Sequence, residues 1–133
     1  MAKIEYPPTT GLFQNPGFSQ VVVTSGARTI YTAGQASIDE QGQLVYANDL
    51  AAQTVQAMKN VGLALAAASA DFQHVVKITT YVVGYKPEHR AVIGAARSPF
   101  FAGRKPPAST LVGVPALALP ELLVEIEAIA VVD

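Results

Sequence analysis

A chain of 133 residues and 13.9 kDa makes one domain, since two cores would each approach the size at which folding alone is marginal. Nine Lys+Arg against ten Asp+Glu give a formal charge of −1, which excludes a nucleic-acid binder working through a broad basic face. The absence of cysteine excludes a disulfide framework, a thiolate nucleophile and a cysteine-based zinc site. Charged residues are 14% of the chain, against a usual ~25%, and half of it is apolar. Part of the surface is therefore expected to be buried against copies of the same chain. His74 and His89 stand alone and fifteen positions apart, so no metal or cofactor is expected. No apolar run reaches membrane-spanning length and Met1–Tyr6 does not open like a signal peptide, so no membrane partner is expected and the expected compartment is the cytoplasm.

Residues 1–17 carry Pro7, Pro8, Pro16, Gly11 and Gly17 and read as an extended arm ahead of a single domain at 18–133. Phe18–Thr24 and Arg28–Ala33 are β-rich and flank the turn signal Ser25-Gly26, which predicts a hairpin. Asn48 or Asp49 caps a helix over Leu50–Ser69, where Leu50, Thr54 or Val55, Met58, Val61 or Gly62, and Leu65 repeat at three-to-four spacing. His74–Val83 is a long β-branched strand. A shorter helix follows, with Pro87 suited to its first position and Pro99 limiting its end. Ser109–Val114 and Leu122–Val132 are the closing strands. The order β-β-α-β-α-β-β predicts an α+β fold, a mixed sheet with both helices packed on one face. The other face, bearing Ile129 and Val131, is left for an oligomer interface.

Phosphate-loop, dinucleotide, zinc-protease and serine-hydrolase motifs are all absent. In Val124-Glu-Ile-Glu-Ala-Ile-Ala-Val131, period-two geometry sets Val124, Ile126, Ala128 and Ala130 on one face. Glu125 and Glu127 share the other with Ile129 and Val131. Such carboxylates are either solvated and ion-paired, or set in a partly buried surface where they can position water. Lys86, Arg90, Arg97, Arg104 and Lys105 form a modest positive cluster that is either a solvated face or the binding charge for a small anion.

Four stretches carry a resemblance. Gly17-Phe-Ser-Gln20 resembles the motif G-P-Y-S-Q, and Tyr31-Thr-Ala-Gly-Gln35 a strand ending in S-G-Q. Asp71-Phe-Gln-His-Val-Val-Lys-Ile-Thr-Thr-Tyr-Val82 resembles D-D-V-V-K-T-T-V-Y, and Val124–Ala130 a closing strand of nearly the same sequence. In this order they are similar to the RidA/YjgF family, the reactive-intermediate deaminases, over Phe18 to Val132. The resemblance implies a chorismate-mutase-like fold and a homotrimer with clefts between subunits. It also implies hydrolysis of 2-imino and enamino acids to a 2-keto acid and ammonia, with Glu125 as the catalytic carboxylate. By the same resemblance Phe18, Ala33, Gly34, Gly94 and Ser109 fall at substrate-binding positions. Phe18 stands where the family has tyrosine, Ala33 where it has serine and Gly94 where it has asparagine. Ser109 replaces the arginine that grips the substrate carboxylate, so poor activity on the usual 2-imino acids is expected. Arg97, three positions from Gly94 on the second helix, is the candidate replacement cation for an anionic ligand. Two other readings stay open: a non-catalytic binding or scaffold trimer, and an endoribonuclease, which the −1 charge disfavours.

Overall fold

The last strand in sequence lies in the middle of the sheet. In this computed structural model, which describes residues 2–14 and 16–133, β7 (Val124–Val132) is paired on both sides. On one side run β3 (Arg28–Tyr31) and the two-residue β4 (Gln35–Ala36), both antiparallel to it. On the other lies β5 (Val75–Val83), also antiparallel, and beyond it the edge strand β6 (Ala108–Val114), parallel to β5. A parallel neighbour needs a crossover, and α2 (His89–Arg97) with the single 3-10 turn Ser98–Phe101 supplies it. Together these give the α+β mixed sheet with two helices on one face.

Register explains which side is covered. Ile78 pairs with Ala128 and Ser109, and Thr80 with Ile126 and Leu111, so these positions share one face. Against it α1 (Leu50–Ala67) sets Ala57, Met58, Val61 and Leu65. Of the two caps that the sequence offers, Asp49 is the one used, accepting the Ala52 N–H at 3.0 Å. The second helix begins at His89, two residues later than Pro87 implies, because the first turn closes with i→i−3 bonds, His89 N–H to the Lys86 carbonyl at 2.9 Å and Arg90 N–H to that of Pro87 at 3.3 Å. Among the described residues no helix is long and apolar enough to cross a membrane.

The expected hairpin does not form. β2 (Val23–Ser25) pairs instead with β1 (Lys3–Glu5) in a separate two-stranded sheet, while β3 joins β7. The reason lies at Gly26, where a Cβ would stand 2.7 Å from Val131 Cγ1 and 3.0 Å from the Val132 carbonyl. The chain turns a corner against the end of β7 there and does not fold back on itself. Part of the arm at 1–17 is thus regular structure, and Met1 and Asn15 within it lie outside the described residues. Val131, expected on an open face, is only 4% exposed, covered from within the chain at Gly26. The rest of that face is mixed in character. Tyr31 is 74% exposed, Lys77 Nζ donates to Thr110 Oγ1 at 2.6 Å, and the Tyr81 hydroxyl donates to Glu127 Oε1 at 3.0 Å.

One buried amide locks the ends of these elements. Gln53 on α1 is fully buried; its Nε2 donates to the Tyr46 and Glu121 carbonyls, and its Oε1 accepts from Leu123 N at 2.9 Å. Gln53→Leu keeps the bulk but strands those backbone groups, so it should cost about 2–4 kcal/mol. Urea denaturation checks this, and a loss under about 1 kcal/mol would show that the clamp is dispensable.

Candidate functional site

The parallel β5–β6 register places Ser109 beside Ile78, on the sheet face that carries the helices. Residues 17–19 run along the start of β6, where the Ser19 N–H donates to the Pro107 carbonyl at 3.1 Å and its hydroxyl to the Pro106 carbonyl at 2.5 Å. That brings Phe18 to the same place. Between this segment, β6 and α2 lies a cavity of about 500 Å³, lined by Phe18, Gly94, Arg97 and Ser109 among others. Arg90 and Arg104 also line it, and no Asp or Glu does.

Arg97 is held from below. Its Nη1 donates to Thr80 Oγ1 at 2.9 Å and to Ser109 Oγ at 3.4 Å. Its Nε is buried with no partner, and no carboxylate forms an ion pair with it among the described residues. Burial lowers its pKa from the usual arginine value, the direction expected when a cation loses water without gaining an anion. Arg104 differs. Its Nε, Nη1 and Nη2 donate respectively to the Lys105 carbonyl, the Phe72 carbonyl and the Tyr6 hydroxyl, and its guanidinium lies 5.7 Å from the Phe101 ring centroid. It is a structural tie. At Gly94 a Cβ would meet nothing within 4 Å, so this position leaves open space on the cavity wall.

Glu125 and Gly34 lie elsewhere. They line a second hollow of about 820 Å³ beside β4, with Asp39, Glu40 and Asn60. Ala33 precedes it in the link between β3 and β4. A Cβ on Gly34 would run into the Glu125 carboxylate, whose Cδ would stand 2.7 Å away, so glycine is what lets that carboxylate lie on the backbone. Asn60 supports this wall by donating to the Ala36 and Ile38 carbonyls at 2.9 and 3.0 Å. The two glutamates of β7 have separate employments. Glu127 accepts from Tyr81, whereas Glu125 has no hydrogen-bond or ion-pair partner among the described residues. Tyr81 is correspondingly raised in pKa, first by that hydrogen bond, then by burial and by the charges of Glu127 and Glu125.

The sequence-predicted residues therefore fall into two groups. Phe18, Gly94, Arg97 and Ser109 meet at the basic cavity; Gly34 and Glu125 meet at the second hollow, with Ala33 adjoining. The hollows share no lining residue, and β5 lies between β6 and β7. Sequence reasoning missed Thr80, which reads as one more β-branched strand residue. It grouped Arg90 only loosely, although Arg90, Gly94 and Arg97 repeat at helical spacing. Both histidines are used locally, accepting the N–H groups of Asp71 and Lys86 at their Nδ1 atoms. Among the described residues no group of three or more His, Asp or Glu could hold a metal ion.

A profile of the family described as endoribonuclease L-PSP matches residues 13–132. The chain belongs to this family, the RidA/YjgF proteins. It is 36% identical over 116 residues to the 2-iminobutanoate/2-iminopropanoate deaminase of Rattus norvegicus, covering 86% of this chain and 79% of that one. Protein DfrA of Myxococcus xanthus is 32% identical over 114 residues, 86% and 84% of the two chains. The Rid-family protein YyfB of Yersinia pestis, described as of unknown function, superposes with a TM-score of 0.91 at 39% identity, over 96% and 98%. The Escherichia coli YjgF gene product gives 0.68 at 29%, over 94% and 91%. The chorismate-mutase-like fold implied by the sequence is thus the family's.

Glu127→Gln removes the charged acceptor and should let the Tyr81 phenol ionise at lower pH than in the unsubstituted protein. Tyrosinate absorbance followed through an alkaline titration reads this directly; an unchanged curve would mean that the carboxylate is not what retains the proton.

Proposed function

We propose that this RidA/YjgF protein forms a homotrimer whose clefts, each built from two copies, bind a small anionic molecule and hydrolyse its imine or enamine bond. The observation that carries this reading is the division of the site between two hollows. One copy offers a cationic wall with Phe18, Gly94, Arg97 and Ser109, and separately a carboxylate wall with Gly34 and Glu125. A second copy is the simplest way to set one wall opposite the other. The deaminase relative supports the reaction class.

The chemistry follows from the groups present. Water adds to the carbon of the C=N bond while Glu125, free of other partners, accepts one of its protons. Glu125 passes that proton to nitrogen to complete the carbinolamine, then relays the carbinol hydroxyl proton to the same nitrogen as the C=O bond forms, the C–N bond breaks and ammonia leaves. Ser109 Oγ accepts from Arg97, so its own hydroxyl hydrogen remains available to the ligand. Arg97 supplies the attraction for an anionic group. It approaches from the helix and not from β6, so the ligand sits in a different pose from one gripped at position 109. Imines of the small 2-imino acids, generated in place from threonine or serine, should accordingly be poor substrates. Ribonuclease action has weaker support: Arg90, Arg97 and Arg104 gather around one small cavity and do not extend into a groove long enough to track a phosphate backbone.

Complementation tests the composite cleft. Glu125→Gln and Arg97→Gln chains, each expected to lose roughly a hundredfold or more in ammonia release, should regain part of it when assembled together, because some clefts then combine two intact walls. Light scattering should give three times the chain mass. A stable monomer, or no recovery on mixing, would overturn the shared cleft; full activity of Glu125→Gln would overturn the catalytic role.

A further inference from the structure

The cationic wall holds more positive charge than one carboxylate needs. Arg90, Gly94 and Arg97 stand at positions i, i+4 and i+7 of α2, so they form one stripe on the helix surface. Arg90 lies one residue past the N-terminus of α2, exposed, and makes no hydrogen bond or ion pair among the described residues. Arg97 lies at the other end, pressed onto the sheet. The two Cα atoms are separated by about 10 Å of helix axis, a distance two arginine side chains can span from both ends. Gly94 sits between them, and the space a side chain would fill there is empty.

Their hydrogen-bonding states differ from that of the third arginine. Arg104 has all three of its nitrogens engaged, by two carbonyls and a hydroxyl. Arg97 spends only Nη1, on two hydroxyls that carry no charge. The lining contributes no carboxylate to either Arg90 or Arg97, and Ile93, Phe101 and Leu111 make the floor apolar. Charge attraction is strengthened over such a floor. A volume of about 500 Å³ is ample for a small molecule.

We infer that the natural ligand of this wall is a small dianion of the dicarboxylate type, one acidic group on Arg97, the other on Arg90, its body lying in the notch at Gly94. This rests on the cleft proposed above and narrows what it accepts. The inner group takes Nη2 of Arg97, which the hydrogen bonds of Nη1 leave unengaged; the outer group meets Arg90 at the mouth, where exchange with solvent is easy. Glycine at 94 has a conformational cost of about 1 kcal/mol against alanine in a helix, and the empty notch is what that cost leaves for the ligand.

Titration calorimetry with succinate and butyrate, which share a carbon count but differ in charge, tests the inference on the intact protein. Succinate should bind roughly ten- to hundredfold more tightly. Arg90→Gln, a substitution at an exposed position that should fold normally, should erase that preference while leaving butyrate affinity unchanged. Gly94→Leu should weaken both by filling the notch. Inorganic phosphate serves as the compact control and should bind no more tightly than butyrate, since it cannot reach both arginines.

Equal affinity for succinate and butyrate, absence of binding by both, a succinate preference that survives Arg90→Gln, or phosphate binding as tightly as succinate would each overturn the dicarboxylate assignment. The outcomes are separable from those of the cleft reading. Ammonia release that depends on Glu125 without any dianion preference would sink this inference alone. A dianion preference lost in Arg90→Gln, with activity indifferent to Glu125, would sink the hydrolytic reading alone.

Discussion

A strand paired on both sides must serve two environments with a period of two, and β7 is where that constraint governs this protein. Val124, Ile126, Ala128 and Ala130 are all essentially buried beneath the helices, so Glu125 and Glu127 have no choice but the opposite face. A slip of one residue would press two carboxylates into the core and turn four apolar residues outward, so the register is fixed by burial alone. The face that the glutamates occupy is set by their neighbours' hydrophobicity. What each then does depends on what lies across from it. Tyr81 occupies Glu127, and the bare backbone at Gly34 gives Glu125 room to lie unbonded.

The second constraint is electrostatic. A guanidinium pressed against the sheet with two hydroxyls for company has lost much of its water and gained no opposite charge. Thr80 and Ser109 fix its orientation but cannot neutralise it. Such an arrangement is unfavourable in isolation and favourable toward an incoming anion, because the desolvation and the side-chain ordering are already complete before the ligand arrives. Arg104 shows the alternative. Tied to two carbonyls, a phenol and an aromatic face, it braces Tyr6, Phe72 and Phe101 around the cavity. Two arginines within one hollow therefore do different work, and the number of nitrogens already engaged tells them apart.

Most of the sheet was legible in the sequence because its signals are local. The alternation along 124–132, the β-branched run at 75–83 and the three-to-four repeat of α1 each encode one element and one buried face. Pairing is not local, and there the reading failed. Ser25-Gly26 is a sound turn signal, yet the strands it joins find partners elsewhere because Gly26 is held against Val131 and Val132. Lys3–Glu5 carries no pattern of its own and is a strand only because β2 offers it an edge. Thr80 was invisible for a related reason: its hydroxyl matters through Arg97, seventeen residues on, and nothing in a β-branched run announces that partner. Glu125, Gly34, Gly94, Arg97 and Ser109 could be named one by one, but their separation into two hollows depends on strand order, which no single segment contains.

That separation joins the two constraints into one argument about assembly. Each copy carries a hollow lined by arginines without acids and another lined by Asp39, Glu40 and Glu125 without Lys or Arg. In the assembly proposed above, unlike walls attract and like walls repel, which would favour head-to-tail contact, the geometry that closes a ring when the rotation per copy is right. Within one chain the two walls share no lining residue and carry opposite signs, so in that assembly they would frame a gap with a cation on one side and a carboxylate on the other. Both are also shaped by a missing side chain, Gly94 making space on the basic wall and Gly34 lending backbone on the acidic one. In the proposed assembly, recognition then rests on the placement of charge around an opening kept clear by glycine. There a ligand would be selected by where its own charges fall, and a change of arginine position would redraw the substrate without disturbing the carboxylate proposed to activate water.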